Sequence, residues 1–101
     1  MYGAPVGSQR CVGDTTIVPP GNEARLFGIN VVSSGTTAII NFLTNGSTNT
    51  TWNSERVTNV VNIASSIDYG INGIWFPNGM HMTTDNQGNK VIVHFRRETP
   101  T

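Results

Sequence analysis

Valine and isoleucine together supply 19 of the 101 residues, against two leucines and four alanines, and this imbalance constrains the fold more than any other feature. Two heavy atoms on Cβ suit a pleated surface but crowd the preceding turn of a helix, so strands are favoured along the whole chain. Asn, Thr, Ser and Gly make up a further 43 residues. These are the turn formers and hydroxyl side chains that many short strands with many connections require. The expected class is therefore all-β. The length allows a single domain, and 37% hydrophobic content with only 12% charged residues gives it enough to bury and too little charge to stay unfolded.

Residues 1–14 hold three glycines, a proline and no apolar periodicity. They read as an extended N-terminal arm that gains order by lying on a partner, leaving 15–101 as the domain. Thr15 to Val18 is a short strand stopped by Pro19-Pro20-Gly21-Asn22. Ala24 to Ser33 is nearly continuous in apolar residues, with Phe27, Ile29 and Val31 on one face and Leu26 and Val32 on the other, so both faces want cover. Ser34-Gly35 then predicts a hairpin to Thr37–Thr44, where Ala38, Ile40 and Phe42 alternate against Ile39, Asn41 and Leu43. Asn45-Gly46 opens a polar loop.

Trp52 to Ile63 fits either a strand or an amphipathic helix, and strand is preferred because Thr58, Asn59 and Asn62 are poor helix formers. Ser65 to Tyr69 is a connector or short strand. The stretch Gly70-Ile71-Asn72-Gly73-Ile74-Trp75-Phe76-Pro77-Asn78-Gly79 ends in a Pro-fixed Asn-Gly turn. Met80 to Thr84 and Lys90 to Arg97 complete the set, the latter with Val91, Val93 and Phe95 inward and Lys90, His94 and Arg96 outward. Six to eight short strands at roughly ten-residue spacing predict a single antiparallel β-sandwich, jelly-roll-like.

Chemistry is sparse. Six basic and six acidic residues cancel, which gives no field to attract nucleic acid. No 18-residue apolar run predicts a membrane span, and the opening residues lack the pattern of a signal peptide, so synthesis in the cytoplasm is expected. The sequons at Asn45 and Asn49 then read as chance products of an Asn/Thr-rich chain. Cys11 has no partner for a disulfide and no neighbour to activate it. Asp14, Glu23, Glu55, Asp68, Asp85, Glu98, His81 and His94 are each isolated in sequence, and no phosphate-binding glycine motif is present. No enzyme, cofactor or metal is expected.

Trp52, Tyr69, Trp75 and Phe76, interleaved with Asn and Thr, would suit a sugar-binding face, although two Trp are ordinary anchors of a small core or interface. Two-sided apolar strands, with no helix to cover them, predict burial against other subunits. The candidate interface is Tyr2, Val6 and Val12 in the arm with Trp52, Trp75 and Phe76 in the domain.

The segments ARLFGINVVS (24–33), TAIINFLTNGSTNTT and GINGIWFPNGMHMTTDNQGNKVIVHF (70–95) resemble small virion-associated proteins of tailed, podovirus-like marine bacteriophages. The shared pattern is an apolar strand with a central Gly, a hairpin ending in Asn-Gly, a Phe-Pro-x-Gly turn and a final alternating strand, over most of residues 15–97. The resemblance implies a β-sandwich structural protein of the virion. It would be a capsid decoration or cement protein, or alternatively a tail or fibre component, in which Phe76, Pro77 and Gly79 shape an architectural turn. A carbohydrate-binding adhesion module is the rival from another class. The implied partners are copies of itself, with a trimer one candidate arrangement, and a major capsid or tail protein.

Overall fold

The computed structural model describes residues 6–32, 35–46, 51–62 and 64–98. Within them the chain forms nine strands and no helix: β1 (Gly7–Val12), β2 (Thr15–Val18), β3 (Ala24–Val32), β4 (Thr37–Thr44), β5 (Ser54–Asn62), β6 (Ser65–Asp68), β7 (Ile74–Phe76), β8 (Met80–Thr84) and β9 (Lys90–Arg97). The strands make two antiparallel sheets. The first has the order β1-β9-β3-β6, with β7 also on β3, and the second the order β2-β8-β4-β5.

One core joins them. Cys11, Ala24, Leu26, Ile29, Val31, Phe76, Val91 and Val93 come from the first sheet, and Ile17, Val18, Ala38, Ile40, Phe42, Val61, Met80 and Met82 from the second. Phe42 and Phe76 meet edge to face at 6.4 Å and 74°, the arrangement that ring quadrupoles favour.

Val91 and Val93 of β9 are buried as read, and of the two alternating sets in β4 it is Ala38, Ile40 and Phe42 that face the core, joined from β8 by Met80 and Met82. Segment 54–62 is a strand, as preferred over helix, while Ile63 lies outside the described residues. β3 differs. Its register shifts between Leu26 and Gly28 against β9, so the extra residue, Phe27, changes the phase and puts Leu26 and Ile29 on the same buried face. The two-sided look of this strand is thus a bulge superimposed on an ordinary one-sided strand. Gly28 is required there, because a Cβ would lie 2.9 Å from the Ile67 carbonyl oxygen.

The expected hairpin between β3 and β4 is not formed. Consecutive though they are, β3 pairs with β9, β6 and β7, and β4 with β5 and β8. Period-2 patterning tells which face of a strand is buried, and two strands that cover each other from opposite sheets carry the same pattern as two neighbours in one sheet. The N-terminal segment also departs from a free arm. Gly7–Val12 is extended, but it is hydrogen-bonded along β9 and sends Cys11 into the core; Met1–Pro5 lie outside the described residues. β1 and the three-residue β7 bring the count above the six to eight expected.

Both ends of the molecule are tied by polar turn residues. At one end the Asn78 N–H donates to Thr44 Oγ1 (3.1 Å), its carbonyl accepts from Asn45 N (3.1 Å), and its side-chain oxygen accepts from Gly21 N (2.6 Å). At the other, Asp14 Oδ1 accepts from Thr84 N and Gln87 Nε2, and the buried Asn89 donates to Thr84 Oγ1 and Asp85 Oδ1.

Phe76, placed at a candidate interface from sequence, is fully buried and is a core residue. Phe76→Ala should cost about 3–5 kcal/mol of unfolding free energy, measured by urea titration with an unchanged m-value; a cost below ~1 kcal/mol would show that Phe76 does not pack in the monomer.

Candidate functional site

Because the inner faces are consumed by the core, any function must sit on the outer faces, the edges or the ends. On the outer face of the first sheet the pairing aligns Ser8 with His94 and Gly28, Arg10 with Ile92 and Asn30, and Val12 with Lys90 and Val32. A hydrogen-bonded chain crosses four strands here. Ser8 Oγ lies 2.7 Å from His94 Nδ1, Asn30 Nδ2 lies 2.9 Å from His94 Nε2, and Ser66 Oγ donates to Asn30 Oδ1 at 2.7 Å. With Asn30 donating to Nε2, the proton of the neutral ring sits on Nδ1 and is donated to Ser8, an arrangement that leaves Ser8 without a base. The chain thus holds strands together and does not activate a nucleophile. Beside it, Val12, Val32 and Ile92 are exposed.

On the outer face of the second sheet, Trp52 lies flat on His81, with ring centroids 5.1 Å apart and planes 10° apart. Thr16 Oγ1 stands 2.9 Å from His81 Nδ1 on the far side. Two glycines make room for the indole: a Cβ on Gly46 would fall 2.7 Å from the ring, and one on Gly79 2.9 Å from it. Trp52 Nε1 is buried and has no hydrogen-bond partner among the described residues, so the ring is held there by its packing. Trp52 is therefore a clamp between the 45–46 turn and the sheet. Farther along the same face, Ile39 and Val60 face each other across β4 and β5, both exposed.

The third surface lies where β3 begins and β9 ends. Trp75 is 43% exposed and donates Nε1–H to Glu23 Oε1 at 2.9 Å. Next to it Arg25 and Arg96 both hold Glu98, at 2.5 and 2.9 Å, and Arg96 lies over the Phe27 ring at 5.2 Å. The Arg25 hydrogen bond is the main cause that holds the Glu98 carboxyl below its ordinary range. Ile71 stands fully out in the turn between β6 and β7.

The candidate interface residues therefore separate. Val6 and Val12 are exposed and flank or end β1, Trp75 is exposed at the far end of the first sheet, Trp52 is packed, Phe76 is core, and Tyr2 lies outside the described residues. Sequence reading missed Asn30 and gave Asn78 as a turn residue alone, because their hydrogen bonds reach strands distant in the chain. The titratable groups remain dispersed: among the described residues no three His, Cys, Asp or Glu gather as a metal site. Burial pushes the Cys11 thiol up, away from reactivity. It also pushes Tyr69 up to about 12, against a smaller lowering by the Asn59 amide that donates to its hydroxyl. No protein-family model matches this sequence, and no curated protein matches it.

Gly46→Ala should dislodge the indole and cost about 1–3 kcal/mol. Trp emission would shift to the red; unchanged emission and stability would show that Trp52 does not lie against Gly46. Burial also lowers the His81 pKa below its ordinary 6.5, partly offset by Asp14. The unfolded chain then binds the proton more readily, so stability is full above that value and falls as pH drops through it. Thermal unfolding between pH 7.5 and 5.5 should show this loss, and His81→Phe, which keeps the ring stack, should flatten the slope.

Proposed function

We propose that the chain is a structural, non-enzymatic protein of a bacteriophage particle, a capsid decoration or cement protein that stabilises the shell by contact with neighbouring subunits. The observation that carries the reading is the placement of the N-terminal strand. Among the described residues β1 is an edge strand that pairs on one side alone, and Val6 and Val12 at its two ends are each 52% exposed. An open edge with exposed apolar residues is suited to strand addition and to apolar contact with another chain. A ligand that binds only the assembled shell stabilises it by mass action, which is what a cement protein supplies. The jelly-roll-like description belongs to the same proposal and draws support from the connections, which pass from one sheet to the other after β1, β2, β3, β5, β7 and β8.

The rival structural reading is a tail or fibre component, and copy number separates the two, hundreds for a shell and a few dozen or fewer for a tail. A second reading, carbohydrate adhesion, is favoured by one observation: Trp75 is an exposed indole held edge-on by Glu23, and such a ring can stack on the apolar side of a sugar.

Deleting residues 2–6 should abolish incorporation into particles and leave the domain folded; the deletion stops there because Gly7–Val12 is part of the sheet. Normal incorporation of the truncated chain would remove the N-terminal segment from the mechanism. Saccharide-specific signal on a glycan array that disappears in Trp75→Ala would instead favour adhesion.

A further inference from the structure

The two outer faces differ in a way that makes them complementary. On the first sheet, Val12, Val32 and Ile92 form an exposed apolar cluster: Val12 and Val32 flank Lys90 in one row, and Ile92 lies in the next row between Arg10 and Asn30. The charges set among them are both positive. Neither Arg10 nor Lys90 has an ion-pair partner among the described residues, where Glu98 takes Arg25 and Arg96. On the second sheet, Ile39 and the 70%-exposed Val60 form the apolar pair. The charges around them are mainly negative. Asp85 Oδ1 accepts from the Ile39 amide at 3.1 Å, and the Glu55 carboxylate folds back to accept from Thr58, two residues from Val60. Arg56, set in the bulge opposite Phe42 and Leu43, is the single cation of β5.

We propose that these are two halves of one contact, in which the basic-rimmed apolar cluster of one copy docks on the acidic-rimmed apolar pair of the next. The occupant is a second copy of this chain because the opposite charges are supplied by the same sequence, whose net charge is zero. Like faces pair less well, since two first-sheet faces would bring Arg10 and Lys90 close to the same cations of the other copy, while Asp68, the carboxylate of that face, lies away from them on the β6 edge. The contact joins different faces, so it is heterologous and propagates into a closed ring or an open stack. Size permits it. The molecule measures 40 × 31 Å across its broad face, and a stable interface takes about 800 Å² per partner, roughly two-thirds of such a face. This deepens the assembly role proposed above by naming the self-contact. The test uses the isolated chain, so that it and particle incorporation can each fail alone.

Sedimentation velocity of the wild-type chain should show mass rising with concentration and falling as salt goes from about 50 mM to about 0.5 M. Arg10→Glu/Lys90→Glu makes both faces acidic, and Glu55→Lys/Val60→Lys makes both basic. Each variant alone should associate at least ~10-fold more weakly, which is about 1.4 kcal/mol. An equimolar mixture should associate more strongly than either variant alone, because the contacts between unlike variants again join opposite charges. A wild-type monomer at about 1 mM, variants that associate as the wild type does, or a mixture that stays monomeric would each overturn the proposal. Should a double variant lose its far-UV strand signature, Lys90→Glu and Glu55→Lys alone give the same reading with a smaller shift.

Discussion

Each strand here has one face to hide and only the opposite sheet to hide it against. That requirement governs the path of the chain. After most strands the backbone crosses to the other sheet, and β4–β5 is the one pair of consecutive strands that are hydrogen-bonded neighbours among those described. The stabilising contacts are therefore mostly between segments far apart in sequence, a topology whose loop-closure entropy must be met before burial returns anything. The polar turn residues at the two ends, Asn78 on one side and Asp14, Asp85 and Asn89 on the other, fix these crossings once they are made. The Ile39 amide holds the Asp85 carboxyl below its ordinary range, so the crossing keeps a charged acceptor to lower pH than a free aspartate would.

Much of this was legible in the residues. β4, β8 and β9 carry apolar residues at every second position in runs of five to eight residues, which specifies the element; Ile39, Leu43 and Ile92 are apolar at the positions between, so in β4 the pattern does not choose the buried face. What was not legible has identifiable causes. The Phe27 bulge adds one residue and inverts the phase, so a one-sided strand read as two-sided. β7 is three residues long, too short for a period to appear, which is how Phe76 came to be placed outside. Pairing partners are a property of the whole fold, and the nearest strand in sequence was the wrong guess for β3.

The outer faces carry the functional question. Much of the first is closed by the Ser8–His94–Asn30–Ser66 chain, and part of the second by Trp52 lying on His81. Polar side chains there satisfy one another across strands, and beside them stand exposed apolar residues, Val12, Val32 and Ile92 on the first face and Ile39 and Val60 on the second. The two tryptophans look equivalent as letters. Glycines at 46 and 79 bury one, whereas the other is tethered at its nitrogen with its ring exposed.

The position of β9 has a consequence for biogenesis. It lies between β1 and β3, the only described strand that β1 can zip onto within its sheet. During translation the first strand thus emerges from the ribosome some eighty residues before its neighbour exists and must wait with both edges open. β6 and β7 can join β3 as they appear, but β1 is added only through β9, so that sheet is completed only after synthesis has passed Arg97.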